Sequence, residues 1–280
     1  MHQEFNLLTE DQLELYGQYW SPGDDAIAVV CLVHGMGEHS GRYAHVADFF
    51  NRNGIAVMTM DHRGHGKSQG KRGHTPSLEH LLNDVDALIK SAEHAFPGKL
   101  VFLYGHSMGG NLALNYAIRR NPLIAGVIAT SPYLRLAFEP PAWKTKLAKL
   151  SAGMLPGLTQ PTGLDTKAIS RDPEVVKKYE NDPLVHDKMS AGFFVQVHFA
   201  GPYVIGHAAE LRLPALVMHG TGDKLTSHEG TREFSQKAGM NVETKFWDGL
   251  YHEIHNEPEK EMVLNYILQW ITQRVAEARS

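Results

Sequence analysis

The chain is short of cysteine, with one, Cys31, among 280 residues. That count excludes an intrachain disulfide and a zinc site built on several thiolates, and it fits a reducing compartment. Cys31 stands in the apolar run AIAVVCLV, where it reads as a small buried hydrophobe. Positive charge is not in excess either: the formal net charge is −4 and the sequence pI about 6.5. No basic field is available to hold a phosphate backbone, so nucleic acid is not an expected partner. No run reaches the roughly 18 apolar residues that a membrane span needs, and MHQEFNLLTEDQLEL has no basic segment leading into an apolar one. The expected setting is cytoplasmic, with peripheral contact to a membrane left open. Oligomeric state is not legible.

What is present is a regular beat. The short apolar runs AIAVVCLV, GIAVMTM, KLVFLYG, AGVIATS, PALVMHG and VETKFWD are separated by helical patterns, which predicts parallel strands joined by crossover helices. The earlier LELYGQYWSP suits an antiparallel edge hairpin. In SLEHLLNDVDALIKSAEHAF, the residues Leu78, Leu81, Leu82, Val85, Leu88, Ile89 and Ala92 make one apolar stripe, which core packing explains completely. The last helix is expected to begin with Pro258 in its first turn and to bury Val263, Ile267 and Ile271. From about 133 to 210 the beat stops: Pro140, Pro141, Pro156, Pro161, Pro173 and Pro183 punctuate helical pieces, with no obvious parallel strand. The expectation is an α/β core from residues 1–132 and 211–280, with residues 133–210 inserted as a mainly helical cap.

The strand KLVFLYG runs straight into a helical pattern through Gly105-His106-Ser107-Met108-Gly109, a G-x-S-x-G junction. Such a turn strains the serine and leaves no room for side chains two positions either side. A serine hydroxyl needs a base, and the base needs an orienting carboxylate. In this arrangement the order along the chain is serine, acid, histidine, each after a strand. PALVMHG ends in TGDKLTS, which puts Asp223 in the acid position; VETKFWD ends in GLYHEIH, which offers His252 or His255 as base. The oxyanion needs backbone donors: Met108, directly after the serine, and Met36 in the loop His34-Gly35-Met36-Gly37. Because Met36 would act through its N–H, alanine should be tolerated there and proline should not.

With VHGMGEHSGRY, DHRGHGKS, GHSMGG, NDPL, HGTGDKL and YHEIHNE in this order, the chain resembles the monoacylglycerol lipases of the serine hydrolase superfamily, close to the lysophospholipase-like group. The resemblance runs from about Val30 through the final helix. It implies the α/β-hydrolase fold, a mostly parallel central sheet flanked by helices with an inserted cap. It implies Ser107, Asp223 and His252 as the triad, because the family's catalytic histidine follows a tyrosine. It places Glu38, Arg42, Tyr179 and His255 near the polar head of a lipid ester, although Glu38 and Arg42 are also spaced to pair with each other. Asp61 and Arg63 read as structural.

The expected reaction is hydrolysis of a monoacylglycerol to fatty acid and glycerol through an acyl-enzyme, with no cofactor and no metal. A lysophospholipase or a general carboxylesterase runs the same chemistry. A non-catalytic ligand-binding relative and a zinc hydrolase are the more distant alternatives. His252 and His255 are three apart in a loop, whereas H-E-x-x-H sets its histidines four apart on a helix. In the cap, AWKTKLAKLSAGMLPGL sets Trp143, Leu147, Leu150 and Met154 on one helical face beside Lys144, Lys146 and Lys149. That face suits either a lipid surface or the top of the sheet.

Overall fold

The computed structural model describes residues 1–23, 26–138 and 141–280, and the side chains of Ala142, Lys144 and Thr145 are also outside the description. Pro140 and the Lys144 side chain, named above, therefore lie outside the described residues. The chain opens as a hairpin of β1 (His2–Leu8) and β2 (Glu14–Trp20), antiparallel with His2 opposite Trp20. Then β3 (Ala28–Val33), α1 (Ala44–Arg52), β4 (Ile55–Met60), α2 (Leu78–Ala95), β5 (Leu100–His106), α3 (Met108–Arg120) and β6 (Gly126–Thr130) alternate. After an inserted stretch come β9 (Ala215–Gly220), α7 (His228–Ala238), β10 (Val242–Trp247) and α8 (Lys260–Arg279). All six expected parallel strands form, and the chain has the α/β-hydrolase fold.

The strand order is β1-β2-β4-β3-β5-β6-β9-β10, so β5 lies inside the sheet between its parallel neighbours β3 and β6. Every residue of β3, β4, β6 and β9 is buried. Helices cover both faces of these strands, which is why they read as continuous apolar runs rather than alternating ones. The edge strand β1 is mostly exposed and alternates. Ser77 caps α2 by accepting from the His80 N–H, and Leu81, Leu82, Val85, Leu88, Ile89 and Ala92 are buried as expected. Helix α8 starts at Lys260, two residues past Pro258, so the proline precedes the helix instead of opening it. Arg63 is buried between Asp84 and Asp11, with contacts of 2.7 and 2.8 Å, and Asp61 accepts from the Ser40 amide and hydroxyl. Both hold turns together.

Between β6 and β9 lie α4 (Ala142–Met154), β7 (Thr159–Pro161), α5 (Pro173–Asn181), β8 (Lys188–Ser190) and α6 (Ala191–Gly206). The two three-residue strands β7 and β8 pair antiparallel, a hairpin too short to be seen as a pattern. Helix α6 is part of the main core through Phe193, Val197, Val204 and Ile205. It lies so close to the serine-bearing helix that Asn111 donates to the Val197 carbonyl and Asn115 to that of Ala200, both at 3.3 Å.

Candidate active site

The carboxyl ends of β3, β5, β9 and β10 deliver four loops to one edge of the sheet, and each expected catalytic residue sits in one of them. Ser107, between β5 and α3, takes φ 54° and ψ −115°, a conformation that costs an ordinary L-residue about 1–3 kcal/mol. Backbone hydrogen bonds hold it there: the Ser107 N–H donates to Thr130 and the Tyr133 N–H donates to Ser107, both at 2.9 Å. The flanking glycines are steric necessities. A Cβ on Gly105 would lie 2.1 Å from the Gly109 carbonyl oxygen, and one on Gly109 would lie 2.1 Å from that of Val33. His106 and Met108 are buried on either side, so the turn presents Ser107 alone.

Asp223, four residues after His219 in the loop beyond β9, is buried and fully engaged. Its Oδ2 meets His252 Nδ1 at 2.7 Å, while Oδ1 accepts from the Leu225 and Thr226 amides at 2.7 and 3.1 Å. Burial would raise this carboxyl, but His252 and His219 beside it outweigh burial and hold it well below the usual carboxylate range. Burial likewise pushes His252 down, and the Asp223 carboxylate, aided by Glu253 and Glu38, more than reverses this. His252 therefore titrates above an ordinary histidine. As a base it must be neutral, so activity that depends on it rises as the pH climbs through that raised value. The ring lies 4.8 Å, centroid to centroid, from that of His106, the residue before Ser107.

The loop after β3 approaches the serine closely, since a Cβ on Gly35 would stand 3.2 Å from Ser107 Cβ. Met36 is half-buried and its sulfur meets His65 Nε2 at 3.3 Å; Met108 is the first residue of α3, where helix N–H groups have no intrahelical partner. Gly37, at φ 77°, accepts at 2.8 Å from the His186 amide, so the inserted stretch touches this loop directly.

Glu38 and Arg42 do pair with each other, and a residue that the sequence reading passed over completes the network. Arg42 grips Glu253 with two nitrogens at 2.8 and 2.7 Å, while Glu38 accepts from the Gly35 amide and the Tyr43 hydroxyl, both at 2.7 Å. Arg42 also lies over the Tyr179 ring, 4.7 Å from its centroid. Burial keeps the Glu38 carboxyl above the usual range, whereas the two-pronged Arg42 contact overcomes burial at Glu253. His255 joins the same cluster but is 0% exposed, stacked on Tyr43 at 4.9 Å, with no hydrogen-bond partner on either ring nitrogen among the described residues. The expected direct contact of His255 with a head group is thus closed off in this conformation. The buried histidines His62 and His65 pack their rings against His34, the first residue of the loop after β3. Among the described residues no cluster of histidine, cysteine and carboxylate side chains converges as metal ligands do.

A serine strained at the end of an inner strand, with an acid and a histidine joined after two later strands, defines an α/β-hydrolase. The chain belongs to the serine aminopeptidase S33 family, whose profile matches residues 24–259. It is 39% identical over 280 residues to an uncharacterized abhydrolase domain-containing protein of Dictyostelium discoideum, covering 98% of this chain and 29% of that protein's length. It is 37% identical over 254 residues to the monoacylglycerol lipase of Mycolicibacterium smegmatis, covering 90% of each. The crystal structure of Paleococcus ferrophilus monoacylglycerol lipase superposes with a TM-score of 0.86 at 36% identity, covering 93% of this chain and 99% of that one. The chain is accordingly a serine-type carboxylic ester hydrolase. Among the described residues no helix is long and apolar enough to cross a membrane.

Proposed function

We propose that the chain hydrolyses monoacylglycerols to fatty acid and glycerol. The single observation that carries the mechanism is the 2.7 Å contact of Asp223 with His252 Nδ1, the His252 ring lying beside that of His106, the residue before the strained Ser107; the similarity to monoacylglycerol lipases supports the substrate. His252 Nε2 takes the Ser107 proton as Oγ attacks the acyl carbonyl, Asp223 fixes the imidazole tautomer, and the Met36 and Met108 amides receive the oxyanion. The protonated His252 then gives its proton to the departing glycerol oxygen. Water, deprotonated by the same histidine, cleaves the acyl-enzyme to a fatty acid and restores Ser107. No cofactor enters these steps.

Arg42 and Tyr179 form the wall on the glycerol side, while Glu38 and His255 support it from behind. Residues 133–210 act as the cap over a core of residues 1–132 and 211–280. The α4 side chains Trp143, Leu147, Leu150 and Met154 are 62, 53, 61 and 72% exposed, and with Lys146 and Lys149 they suit peripheral contact with a cytoplasmic membrane surface. Hydrolysis rates for a monoacylglycerol and a lysophosphatidylcholine of one chain length, with Ser107→Ala as control, test the reading. Faster turnover of the monoacylglycerol, abolished in the control, is expected; preference for the lysophospholipid would move the assignment to lysophospholipase. Activity retained in Ser107→Ala would end both.

A further inference from the structure

We propose that His219 is a positioning residue for the reaction: its Nε2–H donates to the Asp223 carboxylate oxygen that meets His252, takes a share of that oxygen's charge, and so sets the pH at which His252 becomes a base. The inference rests on the triad reading above. His219 is the penultimate residue of β9, has no exposed surface, and is held from both sides. Its Nε2 lies 3.0 Å from Asp223 Oδ2, and its Nδ1 lies 2.8 Å from the Thr231 hydroxyl on α7. A neutral imidazole beside a carboxylate carries its proton on the nitrogen facing that carboxylate, which leaves Nδ1 to accept from Thr231. Burial keeps His219 below the ordinary histidine value, so it stays a neutral donor while His252 titrates.

One oxygen of Asp223 thus receives three donors: His252 Nδ1 at 2.7 Å, the Thr226 hydroxyl at 2.8 Å and His219. The two amides on Oδ1 survive any side-chain change, so the carboxylate's presence does not depend on His219. What depends on it is how much of the charge on Oδ2 falls on His252. Removing one of the three donors leaves more for the other two, which strengthens the His252 contact and raises its proton affinity. The other titratable and charged groups around this pair are His228 on α7, His106 at the elbow, Glu253 and His255 on the His252 loop, and Glu38 with Arg42 on the loop after β3.

The test is kcat/KM against pH for monoacylglycerol hydrolysis in His219→Leu, which removes the donor, and His219→Gln, which keeps an amide N–H near Nε2. His219→Leu is expected to move the acid limb up by about one pH unit and, on the acid side of that limb, to lower kcat/KM by up to roughly tenfold. His219→Gln should stay within about threefold of the parent, with its limb in place. Should His219→Leu fail to fold, Thr231→Val frees the second ring nitrogen and should move the limb the same way. An unmoved limb in a folded variant that still labels with a fluorophosphonate, or His219→Gln as impaired as His219→Leu, would overturn the role of His219. Full activity in Asp223→Asn would instead overturn the triad itself.

Discussion

Two segments of the stretch between β6 and β9 are held in opposite ways. At its middle, Ile169, Ser170 and Arg171 are laced to the loop that carries His252. The Glu253 amide donates to Ile169 at 2.7 Å, the Ser170 hydroxyl to Asn256 at 3.2 Å, and the Arg171 amide to Glu257 at 2.7 Å. The Arg171 guanidinium also bridges Glu257, whose side chain is wholly buried, and Glu259. Farther on, Asp182 meets His39 at 2.9 Å. Earlier in the stretch, α4 rests on α6 and turns Leu147, Leu150 and Met154 outward. Polar contacts with buried partners fix the laced segment in a single register, whereas an exposed apolar face gains nothing until another apolar surface covers it. A chemical clamp and an interfacial surface are thereby separated within one inserted segment.

The comparison is broken most severely where the laced segment reaches the chemistry. His252→Ala should lower kcat by about 10⁴-fold or more with the fold intact, because the base is lost. His255→Leu, three residues on, should leave kcat within about threefold, since neither imidazole nitrogen has a hydrogen-bond partner to lose among the described residues. Steady-state kinetics on the two variants decide it, and a dead His255→Leu beside an active His252→Ala would reverse the roles. Next in size is the loop that the inserted stretch touches through Gly37. Met36→Pro removes an N–H and should cost about 10²–10³ in kcat. Met36→Ala, which keeps the N–H and loses the sulfur contact with His65 and some packing on the core, should remain within about threefold, and equal losses in the two would deny the backbone role.

The clamp itself comes third. Arg171→Ala keeps the backbone donor to Glu257 but strips one buried carboxylate oxygen of its partner, a cost of about 1–3 kcal/mol. Denaturant unfolding should show that loss, together with a smaller fall in kcat/KM as the His252 loop gains freedom. A variant as stable and active as the parent would mean that the laced segment is no more constrained than the other.

Which of these features could be read from the sequence follows from how local each one is. The strands β3, β4, β6 and β9 declare themselves because all their residues are buried, and the elbow because Gly105, Ser107 and Gly109 fall within five positions. Asp223 and His252 are readable because each follows a strand. The supports are not. Glu253 looks like a spacer between two histidines until Arg42, 211 positions away, is brought to it, and Arg171 finds Glu257 across 86 positions. His219 is only four residues from Asp223, yet it reads as the end of an apolar strand, and the turn of the loop is what aims both side chains together. Pairings made by long-range closure leave no periodic trace.

The smallest effect on chemistry and stability belongs to α4, and it sharpens the contrast most. Its outward face reads as a helical stripe in the sequence, and the structure settles which way the stripe points: away from the sheet. Exchanging Leu147 and Leu150 together for serine removes side chains that are more than half exposed in the folded protein, so the unfolding free energy should change by no more than about 1 kcal/mol. Turnover of a short, fully dissolved ester should likewise be unchanged, since the clamp, the elbow and the acid–histidine pair are untouched. If the face meets lipid, each leucine would bury its side chain there, at roughly 1.5–3 kcal/mol, and binding to vesicles should weaken by at least about tenfold. Vesicle sedimentation measures that binding directly, and hydrolysis of monoacylglycerol dispersed in the same vesicles should fall in step. An equal loss on the dissolved ester would show that α4 shapes the pocket instead, and no loss on vesicles would leave the exposed leucines without the lipid partner proposed for them.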